Sequence, residues 1–307
     1  MRTELIDELC VLAEHDRRIV LLTADLGFGV IDRFRERFPE RFINVGVAEQ
    51  SMIATATGLA EAGLIPYCYS IATFATLRPF EFIRNGPVAH RLPVRIVGIG
   101  PGMDYGVDGL THFAIDDVGV LRSQPGLLIW APGDASELRS DLRDIHVDPR
   151  PVYMRIPRIS VATDLPRLHH STESSSAVAI LSLGDAHVRG EAIRGALTDE
   201  GIESSHVIVS RLDEYFAQDV LQYLQQCKVC VVVENHYIRG GLFAAVSEGL
   251  ALGGLGVHVI PVGVERLPVG RVGTSKYMES VFMTSTDVVV KRVITLCRTS
   301  TVNIEHD

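Results

Sequence analysis

The sequence predicts an α/β protein made of two doubly wound parallel-sheet domains. Short apolar runs rich in β-branched residues alternate with helical segments along most of the 307 residues. The runs are almost continuously apolar, which is typical of strands buried on both faces of a parallel sheet. A polar, serine-rich stretch interrupts the alternation near the middle of the chain, and this indicates a boundary between two domains.

The first domain is predicted to span residues 1–160. It opens with an amphipathic helix, MRTELIDELCVLAEHD. The expected strands are RIVLLTADLG, FIN, IPYCYSIA, VRIVGIG, GLLIWAPG and PVYMRIP, and the expected helices are Glu49–Ala62, Leu77–His90, Ala114–Ser123 and Ala135–His146. Strands and helices that alternate at this spacing form a parallel sheet with helices on both faces.

Residues 161–176 are predicted to be a linker, because SVATDLPRLHHSTESSSA is polar and has no helical or strand period. The second domain is predicted to span residues 177–307. Its expected strands are AVAILSLG, SSHVIVSRL, KVCVVVEN and GVHVIPVG, and its last helix is expected to run from Ser285 to Thr299.

Composition excludes several classes of partner. Apolar residues make up 47% of the chain and charged residues 22%, and the formal net charge is −9 without any cluster of Lys and Arg, so no nucleic-acid partner is expected. No apolar run approaches 18 residues, and the N-terminus does not resemble a secretory signal, so no membrane partner is expected. Five cysteines indicate a reducing, cytoplasmic location; Cys227 and Cys230 are expected to be buried core thiols, and no metal site is predicted.

Ligands of open parallel sheets bind outside the carboxyl ends of the strands. This rule selects ADLGFG, GVAEQ, ATFATLR, GPGMDYGVDGLTH and RIPR. Glu49 in GVAEQ begins a helix of small and apolar residues. An acid in a first helical turn is usually only stabilised by the helix dipole, but the apolar surroundings of Glu49 favour a carboxylate that can share a proton with a bound heterocycle.

The loop that ends in VDGLTH carries Asp108 and His112 and five glycines. Such a loop lets the backbone approach a ligand, and a histidine at its end can act as an acid or base near neutral pH. A loop histidine bonded only to its own backbone is an equally good interpretation. GPGMDYG is not a dinucleotide-binding motif, because it does not lie between the first strand and its helix, and His236 is assigned no role.

Aromatic and basic residues follow two other strands. Phe74 precedes its helix and could present its ring to a planar ligand, whereas Phe80 and Phe82 are expected to be core residues. Arg155 and Arg158 flank a proline at a strand end. Either could bind an anionic substrate or form a surface ion pair.

Together, Glu49, Phe74, DGLTH and RSQPGLLIWAPGDASEL resemble the transketolase family of thiamine-diphosphate enzymes, which includes deoxyxylulose-phosphate synthase. The resemblance covers nearly the whole chain, but only the carboxyl-terminal two thirds of a family member. It implies a pyrimidine-binding domain followed by a transketolase C-terminal domain.

The resemblance also implies roles for individual residues. Glu49 would hold N1′ of the cofactor's aminopyrimidine and, with His112, would be catalytic. Phe74 would stack on the pyrimidine, with Asp25 and Arg78 also in the cofactor site. The residues implied to contact the substrate are Asp108, His112 and Arg158.

Two departures from the family pattern bear on the substrate. No basic residue lies between Arg95 and His112, so half of the family's phosphate clamp is missing. Phe113 replaces a glutamine that follows the histidine, which is expected to make that wall of the site more apolar. These differences leave room for an unphosphorylated sugar or a simpler 2-keto donor.

The family binds Mg²⁺ and the cofactor's diphosphate with a GDG…N motif, and this sequence contains no GDG. The resemblance therefore implies a split transketolase, in which a partner subunit carries that motif and two copies of each subunit assemble. The leading function is transfer of a two-carbon ketol unit to an aldehyde. The alternatives are the β-subunit of a 2-oxoacid dehydrogenase's decarboxylating component, which DGLTH disfavours, and a non-catalytic scaffold or regulatory subunit.

Overall fold

The structure is a computed structural model that describes residues 1–171 and 173–302. One linker residue, Thr172, and the last five residues of the predicted second domain lie outside the described residues. The strands are β1 (Ile19–Thr23), β2 (Phe42–Asn44), β3 (Ile65–Ile71), β4 (Arg95–Ile99), β5 (Leu128–Trp130), β6 (Val152–Ile156), β7 (Val178–Leu183), β8 (Ser205–Val209), β9 (Arg211–Leu212), β10 (Val229–Tyr237) and β11 (His258–Val264). The helices are α1 (Arg2–His15), α2 (Asp32–Arg37), α3 (Glu49–Glu61), α4 (Ala72–Thr76), α5 (Phe80–Ile83), α6 (Asp117–Leu121), α7 (Ala135–Val147), α8 (His187–Asp199), α9 (Phe216–Tyr223), α10 (Leu242–Gly253), α11 (Ser275–Phe282) and α12 (Thr286–Val302).

The first sheet has the strand order β2-β1-β3-β4-β6-β5-β9, and all its neighbours are parallel except the last pair. Consecutive side chains of a strand point to opposite faces. Leu21 accordingly packs in one buried cluster with Leu9 and Trp130, whereas Leu22 packs in another with Met52. The two clusters bury both faces of the sheet, which explains why its strands are so uniformly apolar.

The second sheet has the order β11-β10-β7-β8 and is wholly parallel. Its strands bury apolar residues such as Ile180 and Val231 beneath the last helix, where Val289 and Val293 have no exposed surface. The predicted α/β class with parallel, doubly wound sheets is confirmed. Cys227 and Cys230 are buried, as expected for core thiols.

One predicted strand, SSHVIVSRL, divides between the two sheets. Its first part, β8, belongs to the second sheet, whereas β9 pairs antiparallel with β5 of the first sheet, placing Leu212 opposite Ile129. Between them the carbonyl of buried Ser210 accepts a hydrogen bond from the Ala131 N–H at 2.8 Å. The short β9 covers a sheet edge that would otherwise expose unpaired backbone groups.

Two predicted helices are shorter or broken. The segment predicted as Leu77–His90 is replaced by α5 and a π-helical turn at Arg84–Val88, and α4 begins earlier, directly after β3. Pro79 and Pro87 each lack an N–H donor, which prevents a continuous α-helix. The predicted helix Ala114–Ser123 is reduced to α6, since its first residues complete the preceding loop.

A buried ion pair of the first domain also contacts the second sheet. The Arg155 side chain of β6 donates to Asp117 of α6 at 2.8 Å and to the Asn235 carbonyl of β10 at 2.8 Å. Tyr153 also donates to Asp117, at 2.6 Å. Arg155 and Asp117 have no exposed side-chain surface. No helix in the described ranges is long and apolar enough to cross a bilayer.

Candidate active site

Four of the segments chosen from the sequence meet at the carboxyl edge of the first sheet. After β1, Asp25 adopts a positive φ of 59°, and its N–H donates to Asn44 Oδ1 at 3.1 Å. The Asn44 amide returns a hydrogen bond to Asp25 at 2.9 Å, and Asn44 Oδ1 also accepts from the Gly46 N–H at 3.0 Å. Asn44, which the sequence did not single out, therefore ties the loop after β1 to the loop that leads to Glu49.

Glu49 is the first residue of α3 and is only 3% exposed. The predicted burial of this carboxylate is confirmed. Because Glu49 lies in the first turn, its carboxylate is close to the positive end of the helix dipole. The preceding residue, Ala48, provides no side-chain cap. The Ser70 hydroxyl at the end of β3 is 3.5 Å from Glu49 Oε1.

Arg78 makes the shortest contacts to this carboxylate. Its Nη1 lies 2.9 Å from both oxygens of Glu49. The same guanidinium lies over the ring of Phe74, with its carbon 3.8 Å from the ring centroid. Glu49, Phe74 and Arg78, three of the residues selected from the sequence, thus form one contact group in which a planar cation pairs with a carboxylate and packs on an aromatic face.

His112 joins the group from the loop after β4. Its imidazole meets the Phe74 ring edge-on, with the centroids 5.0 Å apart, and lies 6.2 Å from the ring of Tyr105. The Thr111 hydroxyl is 3.0 Å from His112 Nδ1. Within the described residues, the His112 ring is thus hydrogen-bonded to a neighbouring side chain rather than to its own backbone, and Phe74 and Tyr105 are its aromatic neighbours.

Arg158 lies on the far side of Tyr105. Its guanidinium carbon is 4.7 Å from the Tyr105 ring centroid, and one of its nitrogens donates to the Asp104 carbonyl at 3.2 Å. The Asp104 carboxylate accepts the Arg158 N–H at 3.0 Å. Burial raises the pKa of Asp104 in spite of this hydrogen bond and the positive charge of Arg158. Sequence reasoning missed Tyr105, which connects Arg158 with His112.

Asp108 stands apart from the contact group. It is exposed, and its backbone N–H donates to the Tyr105 carbonyl at 2.9 Å. No hydrogen bond or ion pair between residues of the described ranges joins its carboxylate to His112. The structure thus places Asp108 on the same loop as His112 without bringing the two side chains together.

Backbone contacts at two points hold this loop in place, one within the loop and one with the segment between β11 and α11. At its base, Gly102 and Ala114 exchange backbone hydrogen bonds of 2.8 and 2.9 Å. At its middle, the Gly106 carbonyl accepts from the Gly273 N–H at 3.1 Å, and a Cβ at Gly106 would lie 2.4 Å from the Gly273 oxygen. A glycine is needed there because the two backbones touch.

Several expectations are wrong. Arg155 binds no substrate and forms no surface pair, because it is buried in the ion pair with Asp117. Phe113 is 2% exposed and packs with Met278 beneath the loop, so its ring anchors the loop rather than forming a wall of the site. Phe82 is 38% exposed rather than a core residue.

His236, which the sequence left without a role, is fully buried. Its Nε2 accepts from the Gly119 N–H at 3.2 Å, and its Nδ1 lies 2.7 Å from the Tyr237 carbonyl. Its position at the carboxyl end of a predicted strand is the one sequence feature that could have indicated a buried role for His236. The spacing along the chain gave no indication of its partners. Among the described residues, no cluster of three or more His, Cys, Asp or Glu side chains is arranged to hold a metal ion.

Comparison with known proteins identifies the fold and the family. Residues 1–163 match the family model described as the transketolase, pyrimidine binding domain. The chain belongs to the transketolase family. It is 31% identical over 301 residues to the putative transketolase C-terminal section of Methanocaldococcus jannaschii, covering 94% of this chain and 93% of that protein. The predicted family and its pyrimidine-binding domain are confirmed.

A second transketolase-family relative is the 6-deoxy-6-sulfo-D-fructose transketolase subunit SqwH of Clostridium sp. (strain MSTE9). It is 30% identical over 302 residues, which cover 94% of this chain and 92% of that subunit. A 1-deoxy-D-xylulose-5-phosphate synthase from Magnetococcus marinus is 34% identical over 254 residues, but these make up only 40% of its length. The chain therefore matches split-type relatives over nearly their full length and a longer synthase over part of it.

Solved structures agree. A structure titled as a split gene transketolase, inactive beta4 tetramer, superposes with a TM-score of 0.84 and 27% identity, covering 96% of this chain and 98% of that one. The transketolase of Campylobacter jejuni superposes with a TM-score of 0.74 over 95% of this chain and 46% of that one. At 17% identity, this second match shows the shared fold alone.

Proposed function

We propose that this chain is one subunit of a two-component, thiamine-diphosphate-dependent transketolase that transfers a two-carbon ketol unit, or a related acyl unit, from a ketose or 2-keto donor to an aldehyde. The observation that carries the proposal is the contact group of Glu49, Phe74 and Arg78. One planar, N–H-bearing group is hydrogen-bonded to a buried carboxylate at a helix start and lies against an aromatic face.

The residues present fit the cofactor's aminopyrimidine. A planar group with N–H donors already packs on Phe74 and hydrogen-bonds to Glu49, which are the two contacts that such a ring needs. When bound, the cofactor supplies the carbanion chemistry that side chains cannot perform. Asp25, at the neighbouring strand end, and Arg78 border the same site.

The protein's own residues then position and exchange protons. Glu49 holds N1′ of the ring and shares a proton with it, and the small apolar residues of α3 keep water away from that proton. His112, edge-on to Phe74, donates to or accepts from the oxygens of the donor substrate. Arg158, beyond Tyr105, binds an anionic terminal group, and Asp108 contacts a substrate hydroxyl from the outer part of the loop.

The partner subunit and the assembly are part of the same proposal. A partner with the GDG…N motif brings Mg²⁺ and the diphosphate site, and two copies of each subunit form the active complex in the cytoplasm. The relatives that the chain matches over nearly their full length support a two-component enzyme, since one is named a transketolase subunit and another a transketolase C-terminal section. Residues 1–160 form the pyrimidine-binding domain, residues 161–176 the linker and residues 177–307 the transketolase C-terminal domain.

The test is Glu49→Gln in the complex with the partner. Glutamine keeps the shape of the side chain but cannot exchange the proton, so exchange of the C2 hydrogen of the bound cofactor should fall by about 10² or more. Nuclear magnetic resonance after deuterium quenching measures this rate. Glu81→Gln, at an exposed glutamate of α5, is the matched control and should leave exchange unchanged.

Near-normal exchange in Glu49→Gln would remove Glu49 from this role. Turnover is the second measurement. The full chain alone should transfer no ketol unit, and adding the partner should restore transfer between sugars. Release of CO₂ from a 2-keto acid without such transfer would instead support a 2-oxoacid dehydrogenase component, and intact binding without any turnover would support a scaffold.

A further inference from the structure

Arg78 contacts Glu49 and Phe74, the two side chains on which the proposed cofactor site depends. One of its nitrogens lies 2.9 Å from each carboxylate oxygen of Glu49. Its guanidinium plane covers the Phe74 face at 3.8 Å. A planar ligand that stacks on this face of Phe74 and hydrogen-bonds to Glu49 from the same side therefore has to displace Arg78.

The burial of the two charges is unequal. The Arg78 side chain is 45% exposed, whereas that of Glu49 is 3% exposed. A buried carboxylate without a partner is strongly unfavourable, because the charge has lost its water. Arg78 supplies the compensating charge from the solvent side, so it stabilises the site and can also leave it.

The backbone around Arg78 suits such a movement. Arg78 lies between α4 and α5, outside both helices, and is followed by Pro79. Its carbonyl accepts a hydrogen bond from the Gln50 side chain at 3.4 Å, near the start of α3. The main chain is thus held beside Glu49 while the long, half-exposed side chain remains able to swing into solvent.

We propose that Arg78 is an internal ligand of the pyrimidine site, which occupies Glu49 and Phe74 until the cofactor's aminopyrimidine displaces it. The inference rests on the proposed cofactor site and goes beyond it. A ligand that binds only when Arg78 has left the site has an apparent affinity equal to its intrinsic affinity multiplied by the fraction of molecules in which Arg78 has left. Arg78 therefore opposes binding of the pyrimidine to the isolated subunit, and anchoring of the diphosphate by the partner supplies the free energy that displaces it.

This role predicts that removing Arg78 changes the affinity for the pyrimidine in the opposite direction from removing an ordinary cofactor-binding arginine. If Arg78 held the cofactor, its removal would weaken binding. If Arg78 competes with the pyrimidine, its removal strengthens binding, as long as Glu49 remains.

The experiment uses the full chain and 4-amino-2,5-dimethylpyrimidine, a neutral probe that carries the pyrimidine half of the cofactor alone. Ligand-observed nuclear magnetic resonance measures its dissociation constant. Arg78→Gln should bind the probe about tenfold more tightly than the native chain, as expected when a competitor occupies about nine molecules in ten. Arg84→Gln, at an exposed arginine whose side chain donates to its neighbour Asn85, should bind like the native chain.

Salt supplies a second readout that a structural role would not move. Ionic strength weakens a half-exposed ion pair, so the native chain should bind the neutral probe more tightly as salt is raised. Arg78→Gln should show no such dependence. Equal or weaker binding by Arg78→Gln, or identical salt dependence of the two proteins, would overturn the proposal.

Two further variants separate this inference from the proposed function. In the Arg78→Gln background, Phe74→Ala should abolish the gain in affinity if the probe occupies the cofactor site. If no variant binds the probe, or if binding ignores Phe74, both proposals fail. Binding that depends on Phe74 but is weakened by Arg78→Gln leaves the cofactor site intact and refutes the competition alone. The double variant Glu49→Gln/Arg78→Gln replaces both charges and so leaves no unpaired buried charge. Its melting temperature shows whether the site still folds without the ion pair.

Discussion

The imidazole of His112 meets the ring of Phe74 edge-on, with the two centroids 5.0 Å apart. Phe74 follows β3 and His112 closes the loop after β4, two strands that are neighbours in the sheet. A ring stacked on Phe74 therefore lies close to an imidazole, which can donate or accept a hydrogen bond. This contact links the proposed cofactor site to the proposed substrate site.

The first prediction concerns the aromatic face. Phe74→Ala removes the stacking surface and should weaken cofactor binding in the complex with the partner by about tenfold, since an aromatic contact contributes roughly 0.5–1.5 kcal/mol beyond its buried area. Phe74→Tyr keeps the ring and should bind normally. Calorimetric titration with thiamine diphosphate measures the change. Phe82→Ala, at a half-exposed ring, is the control, and equal losses in both alanine variants would contradict a specific role for Phe74.

Much of the site was predictable because its residues follow strands. Glu49, Phe74, Arg78 and His112 each come soon after an apolar run, and the carboxyl ends of parallel strands meet at one edge. The residues at the strand ends therefore converge whatever the exact register. The strands themselves were predictable for the same reason that they are buried, because both faces need apolar side chains.

The residues that sequence reasoning missed depend on contacts between distant segments. Arg155 was expected to bind an anion or to form a surface pair and His236 was assigned no role, yet both are buried where β10 of the second sheet meets the first domain. Their partners, Asp117 and Gly119, lie on α6, a helix whose start was predicted too early. Nothing in the local pattern shows which charged side chains will be enclosed when two domains pack, because burial of charge is decided by the partner that compensates it.

The second prediction concerns substrate charge. Arg158→Gln should raise KM for a donor with an anionic terminal group by about tenfold to hundredfold, because a charge-assisted contact contributes roughly 1.5–3 kcal/mol. For an uncharged donor, KM should not change. Steady-state kinetics with both donors in the complex measure the difference. An equal effect on both donors would assign Arg158 to the structure of the Tyr105 loop instead.

The third prediction concerns the buried ion pair of Arg155 and Asp117. Asp117→Asn removes the nearest counter-charge of buried Arg155, whose other carboxylate neighbour, Asp185, lies 3.8 Å away, and it should lower the free energy of unfolding by about 3–5 kcal/mol. Arg194→Gln breaks an exposed pair with Glu191 and should cost about 1 kcal/mol or less. Chemical denaturation at pH 7 compares the two. A loss no larger in Asp117→Asn than in Arg194→Gln would show that the buried pair does not stabilise the fold.

The pH dependence of Asp117 follows from the same contacts. Burial by itself would raise its pKa, but the charge of Arg155 and the hydrogen bonds from Arg155 and Tyr153 hold the pKa below its usual value. A carboxyl group with a lowered pKa in the folded state stabilises the protein above its unfolded pKa, and this stabilisation is lost as the pH falls through the folded pKa. The difference between Asp117→Asn and the native chain should therefore shrink in acid.

The last prediction concerns Asp185, which follows β7 and has the opposite dependence. Burial raises its pKa to about 7, although the nearby charge of Arg155 acts to lower it. The folded chain therefore binds a proton that the unfolded chain has released, and this carboxyl group costs stability increasingly as the pH rises from about 4 to 7. Asp185→Asn removes that cost and should be more stable than the native chain at pH 8, by about 4 kcal/mol at most, with no advantage at pH 4.

Asp185→Asn can retain the hydrogen bond from the Asn235 amide, which lies 2.7 Å from the Asp185 carboxylate. Asp164→Asn, at an exposed aspartate of the linker, makes the same charge change and should show no such trend. Denaturation midpoints of the three proteins between pH 4 and pH 8 measure how their stabilities change with pH. A constant difference between Asp185→Asn and the native chain would mean that the carboxyl group titrates outside this range, and a loss of stability at pH 8 would mean that its negative charge is needed by Arg155.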